Sequence, residues 1–228
     1  GVERDPLTAA AAEANATEVT VRPGSNELEI VCADVESFEL DGVDAAYIDP
    51  SRRSHGRRTF DVRAYSPSWG FVTDLLALLP AAAKLAPGIP HDVVPLGVEM
   101  EFVSDHGDLK EAVLWSRELA SSGVRRRATV LPSGAALTSA HAADAPTAVG
   151  PVRRYLYEPD PAVVRAHLVG AAAVTLDATL LDASTAYLSG DSLAVSPFAR
   201  VLEVSDVMPF SLKRLRELLR HQSGGAVT

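Results

Sequence analysis

Three carboxylates sit where strands are expected to end: Glu3, Asp34 and Asp49. The third leads directly into Pro50 and a dense group of arginines, Arg52, Arg53, Arg57 and Arg58. In an open α/β sheet, ligands bind outside the carboxyl ends of the strands, and a carboxylate there can accept both hydroxyls of a ribose diol. A carboxylate in that place can also accept a hydrogen bond from an exocyclic amine and orient its lone pair. A following proline stiffens one wall of the pocket. Arginine's planar fork matches the oxygens of a phosphate. Taken singly, each acid is also what a solvated strand end carries, and the arginines are also what a solvated loop carries. Their order along the chain is what distinguishes them.

Charge sharpens the contrast. The 228 residues carry 21 basic and 30 acidic side chains, net −9, which argues against a wholly basic nucleic-acid binder. Residues 1–49 hold 12 acids against Arg4 and Arg22, whereas residues 50–63 hold five arginines against Asp61. A basic island in an acidic chain is where an anionic ligand is sought. Other chemistries find no support. A single cysteine, Cys32, excludes a disulfide scaffold and a cysteine-based metal cluster, and in its apolar run it reads as a buried small side chain. The six histidines lack ligand spacing, so no metal site is expected, and Asp105-His106-Gly107-Asp108 is explained by a hairpin turn. Arg125-Arg126-Arg127 either extends a basic surface or lines a solvated strand entrance. No apolar run reaches the ~18–20 residues of a membrane span, and no basic-then-apolar leader is present, so the expected compartment is the cytoplasm. Without an initiator methionine, and with an abrupt Gly224-Gly225-Ala226-Val227-Thr228 end, the chain reads as a piece of a longer protein cut at both ends.

The elements that must position these residues follow from periodicity. Asp5-Pro6 opens an alanine-rich helix reaching Asn15. Strands are expected over 28–32 and 43–48, then a helix over 68–79 with Trp69, Val72, Leu75, Leu76 and Leu79 on one face, then a strand over 81–86. This alternation implies a parallel, doubly wound sheet, with Glu3, Asp34 and Asp49 along one edge of it. Residues 98–104 and 109–115 form an antiparallel hairpin, 128–131 another strand, and 132–150 a loop or linker. A second unit opens at Tyr155-Leu156-Tyr157, continues with a helix over about 162–173 and a strand over 199–204, and ends in a helix over 211–220. In that last helix Leu212, Leu215, Leu218 and Leu219 face inward. Two domains, 1–150 and 151–228, are expected.

The order Gly1-Val2-Glu3, Cys32-Ala33-Asp34, Tyr47-Ile48-Asp49-Pro50 resembles the class I S-adenosylmethionine-dependent methyltransferases. Asp49-Pro50-Ser51-Arg52-Arg53, with Gly56-Arg57-Arg58, Tyr65-Ser66-Pro67, Lys84-Leu85-Ala86-Pro87-Gly88-Ile89 and Tyr155-Leu156-Tyr157-Glu158-Pro159, is similar to a bacterial subgroup. Its members carry an Asp-Pro-small-Arg-Arg signature and a C-terminal THUMP-like domain. The resemblance implies an α/β fold: a partial Rossmann-like methyltransferase sheet, its first strand and glycine-rich loop missing, followed by a small α+β THUMP-like domain, itself incomplete. It implies that Glu3 holds the cofactor ribose and Asp34 the adenine, that Asp49 also touches the cofactor, and that Asp49 and Pro50 line the target pocket as catalytic residues. Arg52 and Arg53 then stand beside the reacting groups, and Arg53, Arg57 and Arg58 contact RNA.

The function so implied is S-adenosyl-L-methionine-dependent methyl transfer to RNA (tRNA or rRNA). The fragment by itself is expected to bind cofactor weakly and to be inactive. Two other readings stay open, a non-catalytic RNA-binding adaptor on the same scaffold and a small-molecule methyltransferase.

Overall fold

A computed structural model describes residues 1–20, 28–51, 53–54, 57–58, 61–141 and 147–221. The chain divides into two compact units, Gly1–His141 with Pro161–Leu168, and Ala142–Asp160 with Val169–Thr228.

The first unit begins with β1 (Val2–Glu3), α1 (Pro6–Thr20) and β2 (Val31–Cys32), and β1 and β2 pair in parallel. Asp5 starts α1 by accepting the Thr8 N–H and Oγ1–H, each at 2.8 Å. A second crossover runs from β3 (Ala46–Ile48) through α2 (Trp69–Leu78) to β6 (Ala81–Leu85), with β3 and β6 parallel. Between them lie the short antiparallel strands β4 (Arg53–Ser54) and β5 (Arg57–Arg58). Ser68 caps α2 through the Phe71 N–H. Ser68 is itself held by Glu36, whose carboxylate accepts the Ser68 backbone N–H at 2.6 Å. Val72, Leu75 and Leu76 of α2 are buried, and α2 packs on β6, whose alanines leave room for close approach on either face.

The sheet grows by β7 (Glu99–Asp105), β8 (Asp108–Trp115), β9 (Arg126–Leu131) and β10 (Ala135–Thr138), in the order β10-β9-β7-β8-β6-β3. The hairpin expected at 98–115 is present. Its two-residue turn, His106-Gly107, holds both residues at positive φ (51° and 80°), as the twist of the flanking strands requires. The short helix α3 (Pro161–Arg165) packs across β7, β8 and β9.

Several expectations are corrected. The sheet is parallel between β3 and β6 and turns antiparallel with the expected hairpin; the return to parallel pairing between β7 and β9 was not expected. The acids' strands do not form one hydrogen-bonded sheet among the described residues, since β1-β2 is separate from the six-stranded sheet. Residues 132–150 are not simply a linker. A turn through Gly134 at φ 70° returns the chain as β10 against β9. The helix expected over 162–173 breaks at His167, whose backbone turns left-handed at φ 56°, giving α3 and α4 (Val169–Leu176). Cys32 is exposed, not buried.

The second unit is a four-stranded antiparallel sheet in the order β12-β13-β11-β14. Its strands are β11 (Tyr155–Pro159), β12 (Thr179–Leu180), β13 (Leu188–Gly190) and β14 (Ala199–Glu203), with α4 beside them. Tyr157 and Leu188 are fully buried at its centre. The Tyr157 hydroxyl donates to the Ser192 carbonyl and accepts the Ala194 N–H. The terminal helix α5 (Leu212–His221) forms as expected, yet Leu212 and Leu215 are exposed, because no described element of its unit covers them. Among the described residues, no helix is long and apolar enough to cross a membrane.

Candidate functional site

One cleft of about 580 Å³ in the first unit collects the carboxyl ends of β1, β2 and β3. Glu3 closes β1, Asp34 follows β2 by two residues, and Asp49 follows β3 directly, and all three line it. The pattern of lining residues shows how. Gly1–Arg4 and Ala45–Asp49 contribute consecutively, as strand edges do, whereas β2 and its approach contribute Glu29, Val31 and Ala33, one face of a strand. Neither β1 nor β3 has a second partner among the described residues, so two strand edges border the cleft.

Each acid is held differently. Glu3 accepts the Asp5 backbone N–H at 2.8 Å. Asp34 caps the turn Val35–Ser37 through the Glu36 N–H at 3.0 Å and lies 3.8 Å from the Arg4 guanidinium, both side chains largely solvated. Asp49 meets a residue that strand reading did not assign a role. Continuing the pairing Ile48↔Ala83 by one step sets Asp49 beside Lys84, whose Nζ donates to Asp49 Oδ2 at 3.3 Å and lies 3.8 Å from Glu111. The bond to Asp49, reinforced by Glu111, holds the Lys84 ammonium above its ordinary pKa. Asp49 Oδ1 has no hydrogen-bond partner among the described residues, so one oxygen is anchored and the other open. The signal for Lys84 was the one charge in the run Ala81-Ala82-Ala83-Lys84-Leu85. Pro50 is fully buried.

Beyond Pro50 the chain is pinched. Ser51 and Ser66 exchange both backbone hydrogen bonds, at 2.7 and 3.1 Å, and the arginine segment lies between them. Within it Arg53 pairs with Arg58 and Ser54 with Arg57 as cross-strand partners, while Arg52 lies outside the described residues. The structure therefore brings Glu3, Asp34 and Asp49 to one cleft and places the backbone of Arg53, Arg57 and Arg58 on a loop leaving its rim. Among the described residues no group of three His, Cys, Asp or Glu side chains could hold a metal ion. The carboxylates and backbone edges can accept and donate hydrogen bonds to a polar, hydroxyl-rich ligand.

No family model matches the chain. Over 182 residues it is 41% identical to uncharacterized S-adenosylmethionine-dependent methyltransferases of Mycobacterium tuberculosis, in the strains CDC 1551 / Oshkosh and ATCC 25618 / H37Rv. The match takes 78% of this chain and 50% of theirs. The chain thus spans about half the length of the curated relatives it matches. The crystal structure of a candidate methyltransferase from Porphyromonas gingivalis W83 shares the fold, with a TM-score of 0.75 over 96% of this chain and 58% of that one, at 23% identity. By sequence the chain is similar to these S-adenosylmethionine-dependent methyltransferases of Mycobacterium tuberculosis, and its fold is that of the Porphyromonas gingivalis structure.

Proposed function

We propose that this chain is part of an S-adenosylmethionine-dependent methyltransferase that modifies RNA, the first unit belonging to the catalytic domain and the second, built around residues 151–160 and 169–228, to a THUMP-like RNA-binding unit. The observation that carries the reading is the convergence of Glu3, Asp34 and Asp49 on one cleft at the carboxyl ends of three strands. The residues present suit the cofactor. Glu3 would hold the ribose hydroxyls, Asp34 the adenine, and both keep acceptor capacity beyond their capping bonds. S-adenosylmethionine, when bound, supplies an electrophilic methyl group on a sulfonium. The chain's own contribution is placement. Lys84 fixes one oxygen of Asp49, so the other accepts a hydrogen bond from the target amine and aims its lone pair, and buried Pro50 keeps the wall rigid. The edges of β1 and β3 would take a further strand of the full-length protein, with the cofactor at the mouth beside the acids. Arg52, Arg53, Arg57 and Arg58 then grip the RNA backbone as it enters.

Calorimetric titration of the full-length protein with S-adenosylmethionine, and label transfer from it to bulk RNA, test this. Saturable binding is expected, weakened by roughly 1–3 kcal/mol in Glu3→Ala for a lost charge-assisted hydrogen bond. Absence of binding would leave a non-catalytic adaptor, and label appearing only in small molecules would reject the RNA substrate.

A further inference from the structure

A second cluster in the first unit lies outside the acid-lined cleft. Strand alternation splits the run Arg125-Arg126-Arg127. The pairings Met100↔Arg126 and Phe102↔Ala128 put Arg126 on the sheet face that buries Met100, Phe102 and Ala128 and that α3 covers. Arg127 falls on the opposite face, where Glu99 neutralises it at 2.6 Å. Arg126, half-buried at the end of the covered face, has no such partner.

What surrounds Arg126 is also positive. Arg165, the last residue of α3, reaches back to the loop after β6. Its Nε donates to the Pro87 carbonyl at 2.9 Å, its Nη2 donates to the Ile89 carbonyl, and its guanidinium stands 5.3 Å above the Phe102 ring. His91 donates from Nε2 to the Arg165 carbonyl at 2.9 Å. The left-handed backbone at His167 ends α3, and the His167 ring stacks on His91, centroids 4.0 Å apart and planes within 10°. His167 and Arg125 open the cluster to solvent, while His91, Arg126 and Arg165 are partly buried beneath them. Among the described residues, no carboxylate forms an ion pair with Arg125, Arg126 or Arg165, in a chain whose net charge is −9.

We propose that His91, Arg126, Arg165 and His167 form a binding site for a phosphate group, separate from the acid-lined cleft. A guanidinium fork with unused donors suits phosphate oxygens, and partial burial strengthens that attraction over a solvated charge pair. His91, with Nε2 already donating, gains a second donor at Nδ1 when it is protonated. Burial, and then the neighbouring positive groups, keep both imidazoles below their ordinary pKa, and an arriving anion reverses the second cause. Binding is therefore coupled to proton uptake by the two histidines, and for an anion of fixed charge, such as a phosphodiester, it strengthens as pH falls. That the phosphate comes from an RNA backbone rests on the function proposed above; the site itself does not.

The experiment uses full-length protein with inorganic phosphate and, separately, a single-stranded oligouridylate. Histidine Cε1–H resonances, assigned with His91→Gln and His167→Gln, report the site. Millimolar phosphate should raise the titration midpoints of both histidines, and sulfate, a phosphate mimic whose charge does not change in this range, should bind more tightly at about pH 6 than at about pH 8. Arg126→Gln should abolish both effects, and should lower the salt slope of oligouridylate binding by about one unit. Arg126→Lys, which keeps the charge, should keep most of the slope, and tryptophan fluorescence checks that each variant is folded. A response to phosphate with an unchanged oligouridylate slope, or with no oligouridylate binding, assigns the site to a free phosphorylated small molecule and counts against the RNA substrate. Histidines that ignore phosphate, with an oligouridylate slope equal in Arg126→Gln and wild type, overturn the proposal.

Discussion

The Glu99–Arg127 pair offers the sharpest test of the packing that presents β9. Glu99 is 2% exposed and Arg127 23%, and their nearest atoms are 2.6 Å apart. Ser121 ties them together, its N–H donating to Glu99 at 2.7 Å and its hydroxyl accepting from Arg127 at 2.7 Å. Arg127→Ala strips a buried carboxylate of its counter-charge, a loss that typically costs about 3–5 kcal/mol. Here the Ser121 N–H remains and water can follow the vacated guanidinium, so the lower end, about 3 kcal/mol, is expected. Glu99→Gln keeps an acceptor for Ser121 and leaves Arg127 a path to solvent, so about 1–2 kcal/mol is expected. The double variant should cost less than the sum of the singles, because the second change removes a group already orphaned by the first. Urea denaturation followed by tryptophan fluorescence isolates the right unit, since Trp69 and Trp115 both lie in it and Trp115 is the cross-strand partner of Glu99. Arg127→Ala within about 0.5 kcal/mol of wild type, or strict additivity of the two changes, would refute the reasoning.

Other outcomes follow from the same geometry. In the full-length protein, Asp49→Ala should abolish methyl transfer while leaving the urea midpoint near wild type, because its pair with Lys84 is half solvated. Asp49 raises the Lys84 pKa above its ordinary value of 10.5, so the pair's contribution is fully present below that value and is lost as pH climbs through the raised one. Lys84→Met should flatten that alkaline limb, by no more than about 0.5 kcal/mol given the exposure of both partners. His91 and His167 are depressed chiefly by burial, so the stability of the first unit should be full above about pH 6.5 and fall as pH drops through their lowered values; His167→Gln should flatten that acid limb. Leu114→Ala, at a fully buried position of β8, should cost about 2–5 kcal/mol in the same urea assay.

Much of the scaffold is written locally. The α2 face, the 98–115 hairpin and the strand ends at Glu3, Asp34 and Asp49 depend on periodicity and turn chemistry, which neighbours along the chain dictate. What sequence did not reveal depends on who lies across a strand. Lys84 becomes the partner of Asp49 only once β3 and β6 are in register, and Arg126 and Arg127 part company only when β9 has two faces with different coverings. The break at His167 was hidden by the helical propensity of the alanines beyond it, and β10 by a composition that reads equally as loop. The exposed leucines of α5 show the converse: an amphipathic pattern states that a face is apolar, not that anything covers it.

The paired backbone bonds between Ser51 and Ser66 make the arginine segment a graftable module. Its two ends are tied to each other at the neck, so changes between Ser54 and Arg57 do not pull on β3 or α2. Loop closure depends only logarithmically on length, and doubling such a loop costs about 0.6 kcal/mol. Chains sharing this scaffold can therefore exchange the segment for longer or differently charged versions at little thermodynamic expense. The segment can diversify while the acids at the strand ends stay where they are.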